Sequence, residues 1–380
     1  MSYFNLPKIG EVCNINKIMV SPEPINPCVS YSLFNYYKQL YDQINLIVNE
    51  DQYSEECFDD LVKSINPCEY VYSYSENLNC SIGKLYPKSN SFYELIEVSK
   101  TIDLLNECKI KTLKMLHLTP NFTDSINCMK FCRQNNEDTQ IYYPDTSIKT
   151  INLLNNEKFD FLYVEADYYD HKDVTSLNKY IMSLIRIILI VLNTQSTNGS
   201  FVLKIYGIFY KPMIDFIYIV SSLFDKTCVF KPSVSKTALF DKYVVCQNFM
   251  KNSNGNTKKI ITNNCQVLRN FLKTNKIFNN SNNSINSINS ILDFNIPTYY
   301  MIKIVDINSL LGQQQLECLN GILNILRNKN KKDKIESYKK IGIQKSILWC
   351  ERYKIPHVSI SDKTNIFIRM KDENDKLYIK

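Results

Sequence analysis

The chain has 380 residues, 44% of them hydrophobic, with 45 Lys and Arg against 38 Asp and Glu for a net charge of +7. That length carries one large domain or two medium ones with a sizeable core, and the mild basic excess permits nucleic-acid binding without requiring it. Thirteen cysteines without a Cys-x-x-Cys pair, beside only three histidines, exclude a zinc finger and a disulfide framework, so a reducing, intracellular compartment and no metal site are expected.

Met1 to Gly10 has neither a basic start nor a continuous apolar stretch, so no secretory signal is expected. Extended chain from Phe4 to Ile9 leads to Pro22, Pro24 and Pro27. Ser30 is positioned to N-cap a helix carrying Leu33, Tyr36, Tyr37, Leu40 and Ile44 at helical spacing. A second helix is expected over Glu55 to Ser64, then the run Glu69 to Tyr72. Ser89 to Leu105 reads as a helix with Phe92, Leu95, Ile96, Val98 and Ile102 inward, and Lys111 to His117 as the first strand of a sheet. Asp124 to Arg133 is the helix after it, with Cys128 and Cys132 as buried thiols one turn apart. Gln134 to Thr150 is polar and short, with no clear room for a further strand. Phe159 to Asp167 is a strand. Ile181 to Leu192, interrupted by Ser183 and Arg186, is too short to span ~30 Å of hydrocarbon and reads as a buried helix; no membrane association is expected.

The most ordered pattern lies between Gly199 and Phe249. Phe201 to Tyr206 is a strand covered on both faces, with Lys204 near its C-terminal end. In an open α/β sheet that end faces the ligand crevice, so Lys204 reads either as a chemical group or as a lysine snorkelling out of the strand. Pro212 fits the first turn of a helix running to about Asp225, followed by a strand over Thr227 to Phe230, a break at Lys231 to Lys236, and a strand over Lys242 to Cys246 with Asp241 just before it. Beyond Phe249 the chain turns polar. Cys265 to Leu272 is a helix, Asn279 to Ser290 a low-complexity tract, Gln313 to Leu326 an amphipathic helix, and Gly342 to Lys354 a further helix with Trp349. The basic run 327–334 reads either as a phosphate-contacting patch or as a solvated turn.

The run Lys231-Pro232, Ser235-Lys236, Ala238, Asp241-Lys242-Tyr243-Val244-Val245-Cys246, with Gly199 to Lys204, resembles the FtsJ-like RNA ribose 2′-O-methyltransferases, closest to the cap-modifying branch of eukaryotes and large DNA viruses. Asn66-Pro67-Cys68-Glu69 and Ile343 to Cys350 also resemble viral members, and richness in Asn, Ile, Lys and Tyr suits an AT-rich genome. The resemblance implies a Rossmann-like α/β methyltransferase sheet with helices on both faces and helical N- and C-terminal extensions. It divides the chain into an N-terminal extension (1–85), a methyltransferase core (86–250), a low-complexity linker (251–295) and a helical C-terminal region (296–380).

It further implies a catalytic group of Asp167, Lys204 and Asp241, S-adenosylmethionine as cofactor, RNA such as capped mRNA as partner beside an active paralogue or capping and transcription proteins, and a host-cytoplasmic or virion location. The chain keeps Lys204 but departs from the family at several other points. Glu94 stands at the position of the tetrad's first lysine. Asp241 is shorter than the family's glutamate. The glycine-rich cofactor turn is replaced by Thr119-Pro120-Asn121-Phe122, although glycine is what lets the backbone reach the methionyl group. Tyr168 and Tyr169 replace two glycines and are expected to crowd the cofactor side. Asp167 reads either as the tetrad's aspartate or as a cap of the next turn. A degenerate, RNA-binding or scaffolding member is the expectation, with an active mRNA cap ribose 2′-O-methyltransferase as the alternative.

Overall fold

The computed structural model describes residues 2–50, 65–72, 81–105, 111–135, 137–154, 157–169, 174–250, 255–274, 287–328 and 332–358. Seven strands form one sheet: β1 (Ser2–Asn5), β3 (Lys114–Leu118), β4 (Thr139–Tyr143), β5 (Phe159–Glu165), β6 (Gln195–Tyr206), β7 (Phe224–Lys231) and β8 (Asp241–Phe249), in the order β1-β7-β8-β6-β5-β3-β4. β4, β3, β5 and β6 are parallel neighbours; β8 runs antiparallel between β6 and β7, and β1 antiparallel along the outer edge of β7. A small second sheet pairs β2 (Met19–Ser21) with β9 (Ser287–Ser290). This is a Rossmann-like α/β fold with helical extensions, as expected.

The period of two sorts the sheet into two cores. Phe161, Tyr163, Val202, Tyr243 and Val245 face one layer, with Phe92, Leu95 and Ile96 of α2 (Ser91–Thr101) and Trp349 near the chain's end. Leu162, Val164, Phe201, Leu203, Ile205 and Val244 face the other layer. There they meet α5 (Val174–Thr194), α6 (Lys211–Leu223) and α8 (Thr298–Arg327), and α8 lies along α1 (Tyr31–Glu50). The remaining helices are α3 (Phe122–Arg133), α4 (Ile148–Leu153), α7 (Gly255–Thr274) and α9 (Lys332–Tyr353). Thr175–Thr194 is apolar and long enough to cross a membrane, but 78% of its most apolar window is buried inside the protein. Each fully buried Leu or Ile on it contributes roughly 1.5–3 kcal/mol.

Elements that rely on a distant partner depart from the sequence reading. The lead at residues 2–5 is a strand, because it supplies the missing partner for the edge of β7. Gln134 to Thr150 does hold a strand: β4 pairs in parallel with β3, and Asp138 fixes its start by accepting from Leu113 N at 2.9 Å and Arg133 Nη2 at 2.9 Å. The last four residues of the low-complexity tract form β9, and α8 begins at Thr298, well before Gln313. Ser30 does not cap α1 with its side chain: its φ is 51° and its carbonyl, not its hydroxyl, accepts from Phe34 N at 3.0 Å. The expected helix over 55–64, the start of the low-complexity tract, and residues 329–331 of the basic run lie outside the described residues.

Candidate functional site

In β6, Lys204 follows Val202 on the same face, so its side chain turns toward α2. There Nζ donates to Glu94 Oε2 at 2.7 Å, an ion pair whose side chains are only 12% and 5% exposed. The same oxygen accepts the Tyr243 hydroxyl at 2.6 Å, and Asn90 Nδ2 reaches the other oxygen at 3.3 Å. Beside the pair, Glu165 ends β5 in register with Lys204 and accepts from Tyr163 Oη at 2.6 Å and Thr119 Oγ1 at 2.8 Å. Burial acts to lower the Lys204 pKa, but the carboxylates of Glu94, Asp241 and Glu165 outweigh it and raise it. Lys204 is therefore held as an ammonium.

Asp241 opens β8 and is buried, its Oδ1 paired with Lys231 Nζ at 2.9 Å. Lys231 also reaches the carbonyls of Lys236 at 2.9 Å, Leu239 at 3.1 Å and Asp241 at 2.8 Å. The Lys-Pro to Asp segment that carries the family resemblance thus closes on itself around one buried ammonium. Burial acts to raise the Asp241 pKa, and Lys231 with Lys204 overcome this and lower it.

The structure pairs Lys204 with Glu94 and keeps Asp241 near enough to act on its charge while bonded to Lys231, but does not bring Asp167 to them. Ala166 N donates to Lys204 O at 3.1 Å, and the chain leaves the sheet beyond that bond, so Asp167 stands exposed. Partial burial raises the Asp167 pKa, and the cation opposing this is Arg186 rather than Lys204. Glu165 occupies the place expected for Asp167. Its signal was present in the sequence as an acid two residues after Tyr163 on one strand face.

At the turn after β3, Thr119 is buried, its amide donating to Tyr143 O at 3.2 Å and its hydroxyl accepting from Asn121 N at 3.2 Å while donating to Glu165. Pro120 has no amide. Asn121 has φ −99°, not the left-handed conformation that would imitate glycine. Phe122 stacks on Tyr142 at 4.1 Å between centroids. Asp145, beyond β4, accepts from Ser147 N at 3.0 Å and Thr150 Oγ1 at 2.7 Å, which commits it to the start of α4. With the amides of Thr119 and Asn121 engaged, no glycine, and the acid beyond β4 turned to capping, this turn does not fit the methionyl group as a glycine-rich turn would. The two tyrosines expected to crowd the crevice divide: Tyr169 is buried against Tyr180 at 4.8 Å, and Tyr168 is 71% exposed, edge-on to Tyr206 at 5.2 Å. Tyr169 turns inward because Gly207, at φ 85°, leaves room for its hydroxyl.

Glu97, one turn after Glu94, is a further buried acid. It accepts from Ser233 N at 2.9 Å, Ser233 Oγ at 2.7 Å, Val234 N at 3.3 Å and Trp349 Nε1 at 2.7 Å, tying α2 and α9 to the 231–236 segment. Among the described residues no cluster of His, Cys, Asp and Glu is arranged to hold a metal ion.

No protein-family model and no curated protein matches the sequence. Among solved structures the chain is similar to phosphoethanolamine N-methyltransferase 2 of Haemonchus contortus. The complex of that enzyme with phosphomonomethylethanolamine and S-adenosylhomocysteine matches at 14% identity and a TM-score of 0.27, over 43% of this chain and 39% of that one. The complex with S-adenosyl-L-methionine matches at 14% and 0.25 over the same shares. A Streptococcus thermophilus protein described as a hemolysin matches at 10% and 0.28, over 50% of this chain and 78% of that one. The chain spans about two fifths of the length of the N-methyltransferase structures, and the fold assignment rests on the strand order itself.

Proposed function

We propose that this chain is an FtsJ-like methyltransferase-fold protein that has lost methyl transfer and works by binding RNA, or as a scaffold, in a viral RNA-capping or RNA-modifying apparatus. The observation that carries this reading is the 2.7 Å pair between Lys204 and Glu94. A base that takes a proton from a ribose hydroxyl has to be neutral when it acts, whereas Lys204 sits among three carboxylates that hold it charged. The glycine-free turn at Thr119 to Phe122 supports the same reading from the cofactor side. The exposed Tyr168 ring and the net charge of +7 suit RNA, through base stacking and phosphate attraction.

The test is a thermal-shift titration of the full chain with S-adenosylmethionine, beside anisotropy measurements with single-stranded and capped RNA. A ligand at ~100 times its dissociation constant adds about 2.7 kcal/mol; here no shift is expected. RNA should bind with an affinity that falls steeply with salt, and Tyr168→Ala should cost ~1–3 kcal/mol of it. A clear upward shift with S-adenosylmethionine, together with methyl transfer to capped RNA that Lys204→Ala or Asp167→Ala abolishes, would establish the active methyltransferase instead.

A further inference from the structure

A cavity of about 670 Å³, which Lys204 does not line, lies between residues 65–68, the 231–242 segment, the second half of α8 and α9. That volume falls within the roughly 300–1,000 Å³ of small-molecule sites. Its feature without a structural explanation is Lys242. This side chain lines the cavity and is 2% exposed. The other two buried lysines of this sheet region are compensated: Lys204 by Glu94, and Lys231 by Asp241 and three carbonyls. Lys242 makes no hydrogen bond or ion pair with any described residue, although a buried ammonium is costly without one.

The surrounding charge leans the same way. Lys345 and Arg352, both exposed and seven residues apart on α9, stand at the cavity's wall, against Glu317 as the one lining carboxylate among the described residues; Lys231, also in the wall, is already neutralised by Asp241. Trp349 and Tyr353, with ring centroids 4.8 Å apart, supply an apolar wall.

We propose that this cavity binds a phosphorylated small molecule, its phosphate seated on the Lys242 ammonium and drawn in by Lys345 and Arg352. A phosphate supplies the counter-charge that the protein withholds, and charge-assisted bonds to it are the strong kind. Burial first, and then the neighbouring Lys231, bring the Lys242 pKa down to about 7, with Asp241 opposing, so the empty cavity tolerates the amine by letting it shed its proton. A bound anion restores the ammonium. The site is independent of the reading given above, since neither S-adenosylmethionine nor RNA enters it.

The test is calorimetry and thermal shift on the full chain with ATP, sodium tripolyphosphate and adenosine, each at up to about 1 mM. ATP and tripolyphosphate should bind and compete with each other, and adenosine should not. Affinity for ATP about tenfold or more above tripolyphosphate would mark a nucleoside phosphate as the ligand, and equal affinities a phosphate group alone. Lys242→Met should raise the melting temperature of the free protein and remove the response to both anions. Lys345→Ala with Arg352→Ala, exposed changes that leave the fold alone, should weaken binding by about tenfold or more. The proposal is overturned if neither anion binds, if adenosine binds as tightly as ATP, or if affinity is unchanged in Lys242→Met or, should that variant fail to fold, in the double variant.

Discussion

Lys204 is placed by strand periodicity, but its character is set by what meets it. A lysine on a family's catalytic position is expected to have its pKa lowered by burial; here a carboxylate stands where that family has a second cation, and the balance reverses. The pair is structural, and it should behave as buried pairs do: removing one partner leaves an uncompensated charge and costs ~3–5 kcal/mol, while replacing both costs far less. Glu94→Leu and Lys204→Met are each expected to lower stability by that amount in urea titrations, and the double variant by clearly less than the sum. Additive losses would show that the two side chains do not depend on each other. Glu97 follows similar logic, since Glu97→Ala strands four donors that now share one carboxylate. A loss of roughly 2–4 kcal/mol is expected, given ~1.5–3 kcal/mol for a hydrogen bond to a charged group.

Among the elements, β6 was the most legible, because the apolar residues Phe201, Val202, Leu203 and Ile205, interrupted only by Lys204, describe a strand buried on both faces. Its entry is less simple. The pairing of β5 with β6 shifts between Phe159 and Phe161, and Gly199 lies at that irregularity. A Cβ there would stand 2.7 Å from Asp160 O and 2.9 Å from Ser196 O, both backbone atoms. Gly199→Ala is therefore expected to destabilise by ~1–3 kcal/mol, in the range of overpacking, with Ser200→Ala as the nearby control that does not. The elements that were missed are the edges. β1, β4 and β9 are short, and β4 lacks a clean alternation, with Tyr142 exposed and Gln140 half-buried on the same face. Such segments become strands only because a neighbour offers unpaired backbone groups.

For the whole molecule, the acid limb of stability is open to prediction. His117 sits inside β3, fully buried, with Gln140 of β4 as the polar side chain that opposes the effect of burial on it. Burial holds its pKa down at about 3, against 6.5 for the free side chain. Between those values the unfolded chain binds a proton that the folded one refuses, so its contribution is fully present above pH 6.5 and is lost as pH falls toward 3. The slope in that window should approach ~1.4 kcal/mol per pH unit. Asp241, whose folded pKa is lowered, adds a loss of the same sign only as pH falls below the ordinary carboxylate value of 3.8. Between about pH 4 and 6.5 the histidine is opposed by Asp167, whose raised pKa acts with the other sign, so the variant reads its share: His117→Phe should lower the slope of chemical-denaturation stability there; an unchanged slope would move the effect to other groups.

The local periods of the chain determined the helices and central strands, the burial of α5 within the core, and the positions of Lys204 and Asp241 at strand ends, because a period of 2 or 3.6 is written in adjacent residues. The tertiary structure alone decided which groups meet. Glu94 reaches Lys204 across 110 residues of chain, and Glu165 rather than Asp167 lies beside it because the strand ends two residues before Asp167. The cavity that Lys242 lines is assembled from four segments distant in sequence. Contacts of that kind depend on where sheet order and helix packing bring the segments together, and no short window of sequence contains that information.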